Sequence, residues 1–531
     1  MGDAREGVPR AGPSYAGAAL RGSAWTTLQV AVNKVAAAVA TVALGYFLTA
    51  EDFGVAWFAV SAGQFALLLP VAALIDVLIA EPRRFGAIAA PSVRLAWSAG
   101  AVQAAVIVFV GLVLGRAYPD RPGLAVVMAL VALRPVSDAA YAVTLAGMRI
   151  RLDYRPIAFV DCVSALCSSA LSVLLALSGA GPVAIVLPPT VANVVRGALY
   201  RRSSGPTPEG SRRAGVSAAI FRRFRVAALA AYVGGALLMI ELVVLGACAS
   251  TRSVGLFAFA SGLASQLNSV VAFQASSAIQ PIMGHLSGSP ERQVQGALRA
   301  TRMLAALLVP ALLAQAAVGG PLIRTLWPGK WDEAVMVFAI VSVSQSLCVC
   351  HWPSVFVLKA QGRFRACLNA QVLHLAAAAA VLPIAALAGP ALLSASTERI
   401  GIAVTPDSLA PTAVALASAM IAGLFSPFML WLACRPAGIR WRTVLDAALR
   451  PFVAVVPLAM ATHVAALRLE ASVPSRWVAL VALLVLAAVA SAVGALLALS
   501  LDRSTRADAS AAIGLLRSWL RRRTAPMEHG V

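Results

Sequence analysis

The sequence predicts an all-α, polytopic membrane protein of about fourteen transmembrane helices, built as two pseudo-symmetric six-helix bundles followed by two C-terminal helices. Three observations carry that prediction. Of 531 residues, 60% are hydrophobic and 12% charged, with a mean hydropathy of +0.84. The apolar residues gather into runs of about 20, the length a helix needs to cross a ~30 Å hydrocarbon layer. Between those runs, the basic residues fall into every second interval.

Taken in order, a polar segment 1–23 carries Arg5, Arg10 and Arg21 without a short apolar core and cleavage site, so no removable signal peptide is expected. A first bundle, 24–200, holds spans near 24–48, 54–79, 95–117, 124–146, 157–179 and 182–200. Residues 201–225 read as a basic cytoplasmic linker, rich in Arg and broken by Ser203, Ser204, Gly205, Pro206 and Pro208. A second bundle, 226–433, holds spans near 226–249, 254–281, 304–326, 334–358, 366–388 and 410–433. Spans 13 and 14, near 451–467 and 476–501 within 434–501, fall outside the bundles and are expected at the periphery. A basic tail, 502–531, ends the chain. Prolines interrupt several spans, among them Pro70, Pro135, Pro188, Pro310, Pro353 and Pro427, and the carbonyls they free need neighbouring helices or a wet cavity.

Thirty-three of the 43 Lys and Arg residues lie on the even-numbered side of this topology and eight on the other. Positive loops stay in the cytoplasm, which places both termini inside. The formal charge of +21 is then orientation signal and attraction to anionic lipid, and no nucleic-acid partner is expected. Trp327, Trp331 and Trp352, beside Lys330, read as anchors at the outer interface, and the run RSWLRRR near the C-terminus as a segment on the inner leaflet. All seven cysteines fall within or at the ends of spans, which argues against a disulfide framework. Cys348, Cys350 and His351 form an incomplete ligand set, so no metal site is expected.

The halves repeat. VALGYFLTAEDFGVAWFAV from Val42 aligns with VVLGACASTRSVGLFAFAS from Val243, keeping Gly45 and Gly54 in register with Gly246 and Gly255. PDRPGLAVV from Pro119 then matches PGKWDEAVM from Pro328, and the exit Arg149, Ile150, Arg151 matches Arg363, Phe364, Arg365. Three matches in one order indicate duplication of spans 1–6 in spans 7–12. With six spans per repeat both halves insert in the same sense, related by an axis along the membrane normal.

Two cations are left inside spans. Lys34 and Arg134 each lie ten residues into their helix, ~15 Å deep. An ionised group there costs at least ~2.5–3.5 kcal/mol and faces a cavity or a partner. Both are candidates to bind a diphosphate, for which Arg offers forked donors and Lys a point charge. Asp138, one turn from Arg134, is the alternative partner of that guanidinium and a candidate for ion coupling. Glu241, deep in span 7, could carry H+ or Na+ through a burial-shifted carboxyl, or could join helices by hydrogen bonding. Asn33, Gln266, Asn268, Gln345 and Asn369 are candidates to line a polar path. Asp76 and Asp161 fall near cytoplasmic ends and are weaker candidates. Gly329–Lys330 lacks the earlier glycine of a GxxxxGK(S/T) loop, and no segment is long enough for a nucleotide-binding domain. The sequence therefore predicts a transporter, not an enzyme, with no cofactor beyond a coupling H+ or Na+.

The ordered motifs LGYFLTAEDFGVAWFAV from Leu44, Glu241 with LVVLGACASTRSVGLFAFASGLA, PLIRTLWPGKWDEA from Pro321 and LKAQGRFR from Leu358 resemble the polysaccharide and O-antigen flippase (Wzx-type) family of the MOP exporter superfamily. The resemblance covers roughly residues 20 to 500. The family often has Asp where this chain has Glu241, and a glycine after the Asp equivalent to Asp76. The resemblance implies a MATE-like fold in a bacterial plasma membrane, moving a polyprenyl-diphosphate-linked oligosaccharide by ion-coupled alternating access for exopolysaccharide, O-antigen or capsule assembly. Membrane lipids, a polysaccharide polymerase and chain-length proteins are the implied partners. A MATE-like cation-coupled multidrug antiporter and a non-transporting scaffold of a polysaccharide assembly complex are the alternatives.

Overall fold

The computed structural model describes residues 13–67, 70–79, 84–121, 123–151, 153–204, 214–285, 290–400 and 405–500, with Glu81 and Arg506. The expectations for residues 1–12, for 205–213 of the linker and for the RSWLRRR run lie outside the described residues. The chain forms two compact units, the first reaching Gly246 and the second starting at Ala247.

Unit 1 contains α1 (Pro13–Phe47), α2 (Ala50–Ala66), α3 (Ala72–Ile79), α4 (Phe85–Ala117), α5 (Leu124–Ala139), α6 (Ala142–Ile150), α7 (Tyr154–Leu177), α8 (Val183–Ser204), α9 (Ala214–Leu237) and most of α10 (Ile240–Cys248). Unit 2 contains α11 (Thr251–His285), α12 (Pro290–Leu326), α13 (Val335–Leu347), α14 (His351–Ala360), α15 (Phe364–Ile400), α16 (Pro406–Cys434), α17 (Trp441–Ser472) and α18 (Arg476–Ser500).

Each of the fourteen expected spans falls on a helix or on a pair of helices. Ten spans among the described residues are long and apolar enough to cross a membrane, eleven if the bent pair α9–α10 is one, so the protein is multi-pass but the count of fourteen is not established. Two of the remaining expected spans, 2 and 10, are split into short helices, and the side chains of α11 beyond Asn268, in span 8, lie outside the described residues. The break in span 2 follows Pro70, which cannot continue a helical ladder. The break in span 10 precedes Pro353, which sits in the first turn of α14 where its missing N–H is tolerated. Span 7 breaks at Leu238–Met239 without a proline and bends by 56° just after Gly234–Gly235.

The repeat is visible in local structure. In the first half, the Thr49 hydroxyl accepts from Asp52 N–H at 3.1 Å and Asp52 Oδ2 accepts from Thr49 N–H at 2.9 Å, a capping box that starts α2. At the aligned position, the Ser250 hydroxyl accepts from Ser253 N–H at 3.1 Å and starts α11. Both hairpins thus turn in two residues and satisfy the new helix's first donors with a hydroxyl.

Between membrane helices the surrounding lipid is as apolar as leucine, so packing depends on close approach at small residues and on polar contacts. In unit 1, α1 lies on α7, α4 and α8 on α5, α3 on α6, and α9 on α3 and α4. Span 7 was expected to open the second bundle; its helix α9 packs within unit 1. In unit 2, α12 is the hub, with α17 and α18 laid along it. Spans 13 and 14 are therefore tied to the body of the unit. Arg324 forks onto Glu470 at 2.7 and 2.8 Å, the His463 Nδ1–H donates to Ala317 O at 2.8 Å, and Pro310 crowds Gly494.

The interface-anchor expectation is corrected. Trp327 and Trp331 are 1% and 0% exposed. The chain turns at Gly329, whose φ of +70° suits glycine, and folds both indoles onto Phe259: Trp331 stacks on it at 3.9 Å and Trp327 meets it edge-on at 5.1 Å. The Trp352 side chain lies outside the described residues.

Candidate functional site

Unit 1 holds a polar chain at the junction of α1, α5, α7 and α8. Asp161 of α7 accepts from Gln29 of α1 at 2.8 Å and from the Tyr200 hydroxyl of α8 at 2.8 Å, and pairs with Arg196 of α8 at 2.9 Å. Arg196 donates to Asn193 Oδ1 at 2.8 Å, and Asn193 donates through its amide to Asp138 of α5 at 2.7 Å. Tyr141 closes the series, donating to Asp138 at 3.2 Å and lying beneath the Arg196 guanidinium at 5.4 Å. Four helices are thus joined by one set of charge-assisted bonds in a medium where each unmet polar group is expensive.

Asp138 is offered by the sequence as an alternative partner of Arg134. No ion pair within 4 Å joins the two, although Arg134 acts on Asp138 through space; Asp138 bonds to Asn193 and Tyr141, and Arg134 stands exposed on α5. Arg196, Tyr200 and Gln29 were missed, and Asp161 was ranked low. The usable signal was Asn193, Arg196 and Tyr200 at i, i+3 and i+7, one face of one helix.

Lys34 is half-buried on α1, and the carbonyl oxygen of neighbouring Asn33 is buried without a hydrogen-bond donor. Lys34 shares its face with Thr41 at heptad spacing. Arg134 is ten residues beyond the start of α5, ~15 Å deep, where an exposed guanidinium requires water or an anion. Glu241 lies in the first turn of α10, directly after the bend. A helix N-terminus inside a membrane favours a carboxylate through its free N–H groups.

After the C-terminus of α4, Arg121, 6% exposed, donates to Gly246 O at 2.6 Å and lies over Phe58 and Tyr118 at 4.9 and 4.6 Å. Burial lowers the Arg121 pKa from its ordinary value, opposed by Asp120 and Tyr118. A Cβ at Gly246 would fall 1.9 Å from the Phe58 ring, so the approach needs glycine.

Unit 2 brings Asn268 and Gln345 together: the Asn268 amide donates to Gln345 Oε1, and Gln345 reaches Ser265 at 3.5 Å. Gln315, which sequence reasoning missed, donates to Ala264 O at 3.0 Å and Ser342 at 2.9 Å. Gln266 is half-buried and Asn369 exposed. Asn268, Gln345 and Gln315 make interhelical bonds among α11, α12 and α13. Arg363 and Gln361 of the LKAQGRFR loop donate to Leu432 O and Ala433 O at 2.7 and 3.0 Å, capping α16.

Among solved structures, the lipid II flippase MurJ in an inward closed conformation matches with a TM-score of 0.59 at 9% identity, covering 90% of this chain and 98% of that one. An inward-facing multidrug resistance MATE family transporter of the MOP superfamily matches with a TM-score of 0.54 at 12% identity, covering 77% and 96%. At such identities the likeness is one of fold. No curated protein sequence matches. The family model described as "Polysaccharide biosynthesis protein" matches residues 43–336, more than half of the chain. The chain belongs to that family.

Proposed function

We propose that the protein is a flippase for a polyprenyl-diphosphate-linked oligosaccharide, working by ion-coupled alternating access in a bacterial plasma membrane with both termini cytoplasmic. The observation that carries the reading is the pair of mid-depth cations, Lys34 and Arg134, in a chain that belongs to a polysaccharide biosynthesis family and shares its fold with a lipid II flippase. A diphosphate offers both a bidentate acceptor for Arg134 and a second charge for Lys34. A multidrug cation would be repelled by the same two groups, which disfavours the antiporter alternative.

Coupling falls to carboxylates. Asp161 already holds a tethered cation in Arg196, so unit 1 has its own counter-charge at that point and little use for Na+. Asp138, at the far end of the same network, and Glu241, after the 56° bend, are the groups that exchange a proton as the cavity changes access. The bend supplies a hinge between α9 and α10, and the Arg121–Gly246 bond a contact that opens when substrate leaves outward.

Reconstituted vesicles carrying a polyprenyl-diphosphate oligosaccharide test this. The parent protein is expected to move the headgroup when a pH gradient is imposed, Lys34→Gln and Arg134→Gln to lose at least ~90% of the rate, and Glu241→Gln to lose its response to the gradient. Full transport in both cation variants would refute the assignment.

A further inference from the structure

A groove of about 780 Å3 runs between α1 and α7 in unit 1, lined by Val32, Val35 and Val39 on one wall and Leu166, Ala170 and Leu174 on the other. Its two walls extend as regular stripes toward one end of the helices. On α1, Trp25 and Leu28 continue the face of Val32, Val35 and Val39 in steps of three and four; on α7, Arg155 and Phe159 continue the face of Leu166 and Ala170 in the same way. The stripes meet where the Arg155 guanidinium lies 5.8 Å from the Trp25 ring. Arg155 is exposed there, while Arg151 is paired with Asp153 at 3.2 Å, so Arg155 is the cation that the end of the apolar channel offers to a head group.

We propose that this groove binds the isoprenoid chain of a polyprenyl phosphate, with the phosphate on Arg155. Length selects the occupant. Val39 lies fourteen residues beyond Trp25, ~21 Å along α1, and Leu174 nineteen beyond Arg155, ~28 Å along α7. A leaflet of the hydrocarbon core is only ~15 Å deep. The acyl chains of a phospholipid with its head at Arg155 end near the midplane, so two lipids from opposite leaflets would have to meet in the groove, whereas one polyprenyl chain runs its full length. Lys34 is rotated about 100° from Val35 and about 140° from Val39 around α1, off the groove face, so tail binding is separable from the proposed diphosphate ligand. The inference rests on the flippase reading for its biological use, but not for its binding prediction.

The test is native mass spectrometry of the full chain in detergent with undecaprenyl phosphate, in competition with dioleoylphosphatidylglycerol. Val39→Trp and Leu174→Trp fill the groove from either wall at exposed positions, and Val108→Trp on α4 is the lipid-facing control. The parent and control are expected to bind undecaprenyl phosphate in preference to the phospholipid, each groove variant to lose about tenfold in affinity, and Arg155→Gln to lose about fivefold. Equal binding by Val39→Trp, Leu174→Trp and the control overturns the proposal, as does a phospholipid that competes on equal terms. A parent protein that never binds the polyprenyl phosphate, but retains a second membrane protein through Val39 and Leu174, overturns it in favour of a helix-docking face. Vesicle transport by the parent is read separately: groove-dependent binding without transport defeats the flippase reading alone, and transport with groove-independent binding defeats the groove alone.

Discussion

Arg196→Gln is the perturbation that tests the unit 1 network most sharply. The change removes the charge paired with Asp161 at 2.9 Å and the donor to Asn193, while leaving Asp161 its bonds from Gln29 and Tyr200. Side-chain exposure is 23% for Arg196 and 17% for Asp161, so water reaches neither fully. Breaking a buried pair costs about 3–5 kcal/mol, and the two surviving donors place this case near the lower end, about 3 kcal/mol. Asp161→Asn alone should cost about 2–3 kcal/mol, because Arg196 keeps the Asn193 carbonyl. The double variant removes both charges and should cost far less than the sum, with a coupling of about 1.5–3 kcal/mol. Equilibrium unfolding by a denaturing detergent titrated into mild micelles, followed by tryptophan fluorescence, gives all three values. A single variant within about 0.5 kcal/mol of the parent, or strict additivity in the double, would refute the claim that this partly buried pair is coupled.

Other consequences follow from close contacts. Gly246→Ala drives a methyl group into Phe58 and should destabilise by about 1–3 kcal/mol, with Phe58→Leu restoring most of it; thermal melting of both variants checks this. In unit 2, Asn268→Leu strands Gln345 and should cost about 1–3 kcal/mol, whereas Asn268→Leu with Gln345→Leu should be nearly neutral by the same titration. Removing Glu470 should cost only about 1 kcal/mol, since Arg324 is 36% exposed and the pair is partly screened; a loss as large as that for Arg196→Gln would contradict the difference in burial.

Much of the fold was legible because the bilayer makes span length and loop charge strong signals. The hairpins at Thr49 and Ser250 were found as an alignment of sequence and appear as matched caps. The bend at Leu238–Met239 was not legible: it involves no proline, and an unbroken apolar run is all that a hydropathy pattern records. Trp327 and Trp331 were misread because an aromatic residue beside a charged loop has the composition of an interface anchor, and only the turn at Gly329 shows that it folds inward. Arg196 was hidden by its position near Arg201 and Arg202, where it counted as one more loop cation. Its partner Asp161 is thirty-five residues away, and no spacing rule connects two helices that meet only by packing. Lys34 and Arg134 were visible for the opposite reason, as charges isolated in long apolar runs.

The diphosphate site proposed at Lys34 and Arg134 lies at mid-membrane depth. Its most direct test is the affinity of the purified protein for undecaprenyl diphosphate relative to undecaprenyl monophosphate, which share a tail and differ in the head. The parent should prefer the diphosphate by about tenfold or more, and the Lys34→Gln, Arg134→Gln double variant should bind the two lipids alike. An undiminished preference in that double variant would contradict the claim.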